Sequence, residues 1–268
     1  MTFPPSPETL LRRSRTQGIL EQLLASELVR AAGLDQVRAP LRPLAGAGPF
    51  EAALRRSALP VIAEFKRASP SLGPFAADAD PAERLGAYAR GGAAAFSILA
   101  EPARFLGRRS DFAAARALGR PILYKGFVCT EAHLDEAAEL GAQAVLLIAR
   151  LLGEHLAGFA VAARDRGLEP LAELHEPGEI PWVQAGQVRL VGWNARDLSD
   201  FSVRSAPAAL LRDAFPEALL VRESGLHSAA EARAALDAGF DALLMGEALM
   251  RAEDPAALLA GIRAQVRK

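Results

Sequence analysis

The chain has 268 residues, of which 51% are hydrophobic and 24% are charged, and its formal net charge is -1. This length fits two small domains or one large α/β barrel, since such barrels commonly form a single domain of about 200 to 250 residues. The balanced charge produces no long-range field that would attract nucleic acid or an anionic membrane surface, so both are poor candidates for partners.

The cysteine content and the hydropathy of the sequence indicate the cellular compartment of the protein. The single cysteine, Cys129, cannot form an internal disulfide and has no second thiolate with which to build a zinc site. The first residues lack a basic segment followed by an apolar run, and no stretch of about 18 uninterrupted apolar residues occurs. We therefore expect a cytoplasmic protein that is neither secreted nor inserted in a membrane.

The first 55 to 60 residues, roughly, differ in pattern from the rest. Leucines at three- and four-residue spacing predict an amphipathic helix over residues 19–29. A Pro/Gly-rich link over residues 39–49 follows it, and residues 50–54 come next. On a barrel, such a helix either plugs one end or helps to close the active site, and the sequence favours neither.

After residue 60, short apolar runs alternate with Ala/Leu/Arg-rich segments of helical spacing, which predicts βα units and a parallel sheet. Eight runs are predicted as strands: Val61–Phe65, Ala95–Leu99, Pro121–Tyr124, Ala144–Ile148, Glu169–Glu173, Arg189–Trp193, Ala218–Arg222 and Ala242–Met245. Their spacing of about 26 residues matches a (β/α)8 TIM barrel. We therefore predict an α/β fold with an N-terminal helical extension over residues 1–56 and a catalytic barrel over residues 57–268.

Ionisable residues stand at the C-terminal ends of several predicted strands, the face that carries the active site in TIM barrels. Glu64 and Lys66 of the first strand point to the same side because side chains alternate along a strand. Later strands contribute Lys125, Glu173, Asn194 with Arg196, and Glu223 with Ser224. One such charge alone is typical of a solvated loop, but together they predict a cluster suited to general acid and base chemistry.

Turns after the seventh and eighth predicted strands indicate a phosphate site. Ser224 and Gly225 follow one strand and Gly246 and Glu247 the other, where many barrels bind phosphate through backbone N–H groups. The carboxylate of Glu247 would then have to point away from the anion. The first loop, Ser69–Pro74, has the hydroxyls and turn formers of a segment that covers a ligand, although an ordinary turn has the same composition.

The four histidines lack the spacing of metal ligands, so no metal site is expected.

The segment VIAEFKRASPS, residues 61–71, resembles the signature of the indole-3-glycerol-phosphate synthase family. Matching segments follow in order over residues 96–101, 124–127, 171–175, 194–198, 222–225 and 244–250. The resemblance extends from about residue 50 to the C-terminus and more loosely to the predicted N-terminal helix. It implies a carboxy-lyase of tryptophan biosynthesis that needs no cofactor and acts on a small phosphorylated substrate. The reaction closes 1-(2-carboxyphenylamino)-1-deoxyribulose 5-phosphate to indole-3-glycerol phosphate with loss of CO2 and water.

The resemblance also implies residue roles. Lys125 would protonate the substrate ketone, and Glu173 would stabilise the positive charge that develops on the ring. Lys66 would hold the substrate carboxylate and serve as an acid in the dehydration, with Glu64 as the base, but the division of steps between the lysines stays open. The remaining implied contacts are Asn194 with the substrate hydroxyls, Glu223 with the polar network, Ser224, Gly225, Gly246 and Glu247 with phosphate, Phe127 and Leu146 with the aromatic ring, and Ser69 and Arg196 elsewhere on the substrate. We expect a monomer or a weak homo-oligomer.

The sequence departs from the family pattern near Lys125. Gly126 stands where the family usually has Asp, and Ala100 stands where it usually has Thr. Loss of an acidic neighbour is expected to change the pKa and placement of Lys125.

Two alternatives follow from these features. A phosphoribosylanthranilate isomerase would need a Cys and an Asp at strand ends, whereas Cys129 lies beyond the third predicted strand and Glu64 and Lys66 occupy the first. A phosphosugar-binding barrel without catalysis would be consistent with Gly126 and Ala100.

Overall fold

The computed structural model describes residues 4–14, 19–34, 39–196 and 207–266. Eight parallel strands form a closed barrel: β1 (Val61–Phe65), β2 (Ala95–Leu99), β3 (Ile122–Lys125), β4 (Ala144–Ile148), β5 (Glu169–Leu174), β6 (Leu190–Asn194), β7 (Leu219–Glu223) and β8 (Ala242–Met245). Each strand pairs with the next in the chain, and β1 pairs with β8. The predicted TIM barrel is confirmed.

Four strands, β1, β2, β4 and β8, have the predicted bounds. The other four each extend one residue further towards the C-terminus, and three of these added residues are Lys125, Asn194 and Glu223. The sequence places these polar side chains just after the strands because the apolar runs end there, but the parallel pairing continues through them. They are therefore held by the barrel itself.

Helices connect the strands around the barrel: α4 (Pro81–Gly91), α5 (Arg109–Ala117), α6 (Glu131–Glu139), α7 (Ala149–Leu152), α8 (Leu156–Asp165), α9 (Ile180–Ala185), α10 (Ala208–Ala214), α11 (Ala229–Asp237), α12 (Glu247–Arg251) and α13 (Pro255–Val266). Short 3-10 turns cover Gly153–His155 and Pro177–Glu179, and the first loop contains a hairpin of Ala68–Ser69 with Gly73–Pro74. Across the described residues, every helix is too short or too polar to cross a bilayer.

Local sequence determines where these helices begin and end. In α4, for example, the Asp80 carboxylate accepts the N–H groups of Ala82 and Glu83, and proline occupies the first turn. The helix is followed by Gly92, whose φ of +93° is accessible to glycine without a Cβ clash.

The extension contains α1 (Pro7–Ser14), α2 (Ile19–Ala32) and α3 (Pro49–Arg56). The predicted helix over residues 19–29 is α2, and its buried Leu23 lines the cavity at the C-terminal ends of the strands. The opposite end of the barrel is covered by α3, whose Phe50 and Glu51 N–H groups donate to the carboxylate of Glu169 at the start of β5 (2.6 and 2.9 Å). Of the two interpretations of the helix over residues 19–29, the position of Leu23 favours the one that places it at the active-site end, and the opposite end is covered by α3.

A buried polar cluster fixes α2 to the barrel. The Glu136 carboxylate on α6 accepts hydrogen bonds from Arg30 (2.6 Å), the Tyr124 hydroxyl (2.7 Å) and Arg109 (2.6 Å). Arg30 also pairs with Glu27, one turn earlier on α2 (2.7 Å). Because Tyr124 precedes Lys125 on β3, this cluster holds α2 against the strand that carries Lys125.

Candidate active site

A cavity that is open to solvent lies at the C-terminal ends of the strands. The predicted site residues that line it are Glu64, Lys66, Ser69, Lys125, Phe127, Leu146, Glu173, Asn194, Arg196, Ser224, Gly225, Gly246 and Glu247. Glu223 lies beneath the cavity floor with 1% of its surface exposed. The side chains expected to converge from separate strands are therefore neighbours.

Lys125 lies between two carboxyl groups at the centre of the cavity. Its Nζ donates to Glu223 Oε2 (2.7 Å) and to Glu173 Oε2 (3.2 Å). Burial alone would lower the pKa of Lys125, but Glu223 and Glu173 outweigh it and raise that pKa well above its ordinary value. Lys125 is consequently an ammonium ion with protons available to a substrate oxygen.

The two carboxyl groups beside Lys125 differ in protonation. Burial raises the pKa of Glu223 to about 8, although the positive charge of Lys125 opposes this. Burial also disfavours the charged form of Glu173, but Lys125 prevails there and the pKa of Glu173 lies below its ordinary value. At neutral pH Glu223 is mostly protonated and Glu173 is ionised, so the cluster with Lys125 is close to neutral.

A second acid–base pair stands at the end of β1. Lys66 Nζ lies 2.8 Å from Glu64 Oε1, and the Glu64 side chain is 4% exposed. Burial would raise the pKa of Glu64, but Lys66 and Lys125 lower it below its ordinary value. Glu64 is therefore an ionised carboxylate within reach of a lysine, as a base paired with an acid requires.

Two glycines make room for these carboxyl groups. A Cβ built on Gly246 would collide with Glu64 Oε1 and would lie 3.1 Å from Lys66 Nζ. A Cβ on Gly192, in β6, would collide with Glu223 Oε1. The absence of side chains at these positions is a condition for the arrangement of both acids.

Aromatic and aliphatic side chains form the wall of the cavity near β2, β3 and β4. The rings of Phe105 and Phe127 lie 6.1 Å apart at a tilt of 40°, and Leu146 is adjacent on the same wall. Phe105 was not among the predicted site residues because it lies in an irregular loop after β2, where no periodicity operates. The loop is organised by the buried Glu101, which accepts the N–H groups of three successive residues, Ala103, Arg104 and Phe105.

The opposite wall carries the glycine-containing turns after β7 and β8. Ser224 and Gly225 have φ values of +62° and +72°, which a serine seldom adopts. Glu247 is directed to arginines: its carboxylate oxygens lie 3.6 Å from Arg196 Nη2 and 3.5 Å from Arg251 Nε. These pairings account for a carboxylate beside the turns that the sequence predicts to bind phosphate.

The first loop is held by an arginine that sequence reasoning did not identify. The Arg67 guanidinium donates to both oxygens of Asp111 at the start of α5 (2.6 and 2.9 Å), and both side chains are buried. The Arg67 carbonyl accepts the N–H groups of Phe75 and Ala76. This arrangement fixes the backbone next to Lys66, and the sequence gives no signal for it because Arg67 and Asp111 are far apart in the chain.

The family model described as "Indole-3-glycerol phosphate synthase" matches residues 22–262. The chain belongs to the indole-3-glycerol phosphate synthase family. A Streptomyces coelicolor protein named "Indole-3-glycerol phosphate synthase 2" is 42% identical over 91% of this chain and 98% of its own length. An "Indole-3-glycerol phosphate synthase" of Lactiplantibacillus plantarum is 38% identical over 89% of this chain and 92% of its own.

Solved structures with a similar fold have more distant sequences. "Thiamine phosphate pyrophosphorylase from Pyrococcus furiosus" superposes with a TM-score of 0.56 at 18% identity, over 80% of this chain and 98% of that one. A 3-hexulose-6-phosphate synthase gives a TM-score of 0.58 at 18% identity, over 76% of this chain and 98% of that one. At this identity the likeness establishes the barrel fold alone.

The two departures from the indole-3-glycerol phosphate synthase pattern lie side by side. A Cβ on Gly126 would lie 3.5 Å from the Ala100 Cβ and 3.1 Å from Tyr124 Cε1. One patch beside Lys125 therefore has small apolar residues at both positions, and the carboxyl partners of Lys125 are Glu173 and Glu223. Asp197 and Leu198, which belong to the segment matching the family after β6, lie outside the described residues.

Proposed function

We propose that this chain closes 1-(2-carboxyphenylamino)-1-deoxyribulose 5-phosphate to indole-3-glycerol phosphate, with loss of CO2 and water. The observation that carries the proposal is the position of Lys125 between Glu173 and Glu223, in a cavity with aromatic side chains on one wall and glycine-containing turns on the other. Membership of the family supports the same reaction.

The two walls match the two ends of this substrate. Phe105, Phe127 and Leu146 offer an apolar surface to the carboxyphenyl ring, while the turns at Ser224–Gly225 and Gly246 offer N–H groups to the phosphate. β3 and β7 lie on opposite sides of an eight-stranded barrel, so a substrate held at both ends crosses the charged cluster. Ring closure within one flexible molecule gains much of its rate from such positioning.

The charged groups then supply the proton transfers. Lys125 donates a proton to the ketone oxygen while the aromatic carbon attacks the ketone carbon, and the new C–C bond leaves positive charge on the ring. The ionised Glu173 stabilises that charge more than it stabilises the neutral substrate, which lowers the barrier. The departing carboxylate releases CO2 and returns its electron pair to the ring.

Loss of water completes the reaction. Lys66 first holds the substrate carboxylate and then protonates the leaving hydroxyl, and Glu64 accepts the proton that is released as the indole forms. Asn194 and Arg196 contact the remaining polar groups of the substrate. Ser69, in the first loop, lies above them, and Glu247 lies at the phosphate end. This sequence of steps requires acids and bases only.

No specific observation favours either of the two alternative functions, the isomerase or the non-catalytic binding protein. Cys129, which an isomerase would need in the cavity, is 1% exposed, does not line it, and has a thiol pKa raised by burial. A binding protein without catalysis would have no need for four buried or half-buried ionisable groups around Lys125.

We also propose a domain organisation, a compartment and an assembly for this chain. Residues 1–56 form an extension and residues 57–268 the catalytic barrel, in the cytoplasm, as a monomer or a weak homo-oligomer. Light scattering at two protein concentrations measures the assembly.

The test uses purified protein, synthetic substrate and the fluorescence of the indole product. We expect turnover by the wild-type chain and a loss of at least about a thousandfold in kcat for Lys125→Ala, because its proton and its positive charge are both removed. Product binding by Lys125→Ala, measured calorimetrically, should remain, since the phosphate wall is unchanged. Substrate that binds to wild-type protein without conversion would favour the non-catalytic alternative, and near-full activity of Lys125→Ala would eliminate its role as the acid.

A further inference from the structure

His175 is a buried imidazole beside the active site that none of the proposed steps uses. It follows β5 directly and is two residues from Glu173, so both side chains project to the same side. Its Nε2 lies 3.5 Å from Glu173 Oε1, and its side chain is 2% exposed. Within the described residues, neither ring nitrogen of His175 has a hydrogen-bond partner.

The backbone of His175 is fixed, which limits what the ring can do. Its N–H donates to Glu179 Oε2 (2.8 Å), and Glu179 is in turn held by Arg150 Nε (3.2 Å). Only a small rotation of the ring or of the Glu173 carboxylate is needed to turn the 3.5 Å approach into a hydrogen bond. Because an unpartnered buried imidazole costs free energy, such a bond is favourable whenever the geometry allows it.

The charge state of the His175 ring determines how many N–H groups it can donate. Burial lowers the pKa of His175, Glu173 and Glu179 act in the opposite direction, and Arg150 and Lys125 add to the lowering. The imidazole is therefore neutral at neutral pH and carries a single N–H, which can face Glu173.

The two oxygens of Glu173 face different groups. Oε2 accepts from Lys125 Nζ (3.2 Å), whereas Oε1 faces His175. Besides Lys125, the protonated Glu223 also hydrogen-bonds to Glu173. In the proposed reaction Lys125 gives its proton to the substrate, and Glu173 then keeps only this neutral neighbour. A second donor on Oε1 would keep the carboxylate charged and oriented at that step.

We propose that His175 is a positioning residue that donates an Nε2–H hydrogen bond to Glu173 Oε1 when substrate occupies the site. Hydrogen bonds of active sites are often long in the free enzyme and shorten in the complex. The inference rests on the proposed function, because it assigns the bond to the step in which Lys125 is deprotonated.

The test compares two substitutions of His175 that place an amide nitrogen at different positions. The amide nitrogen of Gln falls near the position of Nε2, whereas that of Asn falls near Nδ1. We expect His175→Gln to retain kcat within about threefold and His175→Asn to lose about ten- to a hundredfold in kcat, with KM little changed. The acidic limb of kcat should move to higher pH in His175→Asn, because loss of a donor to the ionised form raises the pKa of Glu173.

The control is His155→Asn, since His155 is also a buried histidine but lies in the 3-10 turn after α7 and does not line the cavity. It should leave kcat and the pH profile unchanged. Unchanged kinetics in His175→Asn would overturn the inference, and so would an equal loss in His175→Gln, which would indicate proton transfer by the ring.

A measurement independent of turnover accompanies the kinetics. The chain has four histidines, so imidazole 15N NMR spectra can be assigned by comparison with His175→Gln. We expect His175 to be neutral with its proton on Nε2 and its Nε2–H signal to shift downfield on addition of product. A proton on Nδ1, or no shift, contradicts the inference even if a substituted protein folds poorly. Failure of the wild-type chain to convert substrate would instead contradict the proposed function.

Discussion

Glu223 is the residue whose protonation sets the charge around Lys125. It is buried, its Oε2 accepts from Lys125 at 2.7 Å, and burial raises its pKa to about 8. When it loses its proton, Lys125 faces two carboxylates instead of one and holds its own proton more tightly. A tighter proton makes Lys125 a weaker acid, so the rate should fall as the pH rises through this range.

Glu223→Gln tests this dependence. The amide resembles the neutral acid but cannot ionise, so we expect substantial activity at pH 7 and a kcat/KM profile that lacks the decline centred near pH 8. Initial rates from pH 6 to 10 for both proteins provide the comparison. A decline of the same midpoint in Glu223→Gln would assign the ionisation to another group.

The periodicity of strands explains which site residues can be identified from the sequence. Lys125, Glu173 and Asn194 are predictable because each is a polar residue at the end of an apolar strand, and strand alternation gives its direction. Arg67 and Phe105 belong to loops, where no period relates sequence to direction, and they depend on contacts made by distant residues. The protonation of Glu223 depends on burial and on distances to Lys125, which follow only from the closed barrel.

Helix α2 owes its position to a carboxylate on another element. Glu136 of α6 is 2% exposed and is neutralised by Arg30 of α2 and by Arg109, with Tyr124 as a third donor. Removal of one cation leaves a buried carboxylate with less compensation, which costs more than loss of a surface ion pair. The leucine spacing predicts α2, but its place at the cavity depends on this pairing across 106 residues of sequence.

Arg30→Ala should therefore lower the free energy of unfolding by about 2 kcal/mol, because Arg109 and Tyr124 still bind Glu136. Urea unfolding followed by circular dichroism measures the change. The matched control is Arg233→Ala, which removes the exposed i,i+4 pair with Asp237 (2.7 Å) and an exposed hydrogen bond to the Gln265 carbonyl (2.7 Å), and it should have a much smaller effect than Arg30→Ala. Equal stabilities of the Arg30 variant and wild type would mean that the cluster does not hold α2.

The pH dependence of the stability of the whole molecule depends on two kinds of buried carboxyl group, those whose pKa is lowered in the folded protein and those whose pKa is raised. Glu27, Glu64, Glu136 and Glu173 have pKa values lowered by their cationic partners, although burial opposes each shift. Their contribution is present above the unfolded-state value of about 4.5 and is lost as the pH falls through their folded-state values. Glu223 acts in the opposite sense, because its contribution is present below about pH 4.5 and is lost as the pH rises towards 8.

We accordingly expect the free energy of unfolding to be greatest near pH 5, to fall steeply below about pH 4 and to decline on the alkaline side up to about pH 8. Urea titrations at pH 3, 4, 5.5, 7 and 9 would establish the profile. In Glu223→Gln the alkaline decline should be smaller while the acid side is retained. Stability that is constant from pH 3 to 6 would contradict the expected ion pairing of the four glutamates.

The glycines beneath the cavity have a consequence for redesign of this barrel. Gly192 and Gly246 leave the volumes that the carboxyl groups of Glu223 and Glu64 fill, so each glycine and its glutamate form one unit in space. A library that varies one member alone would sample either a void or a collision, and most of its variants would be lost before any new chemistry is tested. Exchange of both members together, an acid for a small residue and a glycine for a larger one, is the route by which this floor can accept a different constellation of acids and bases.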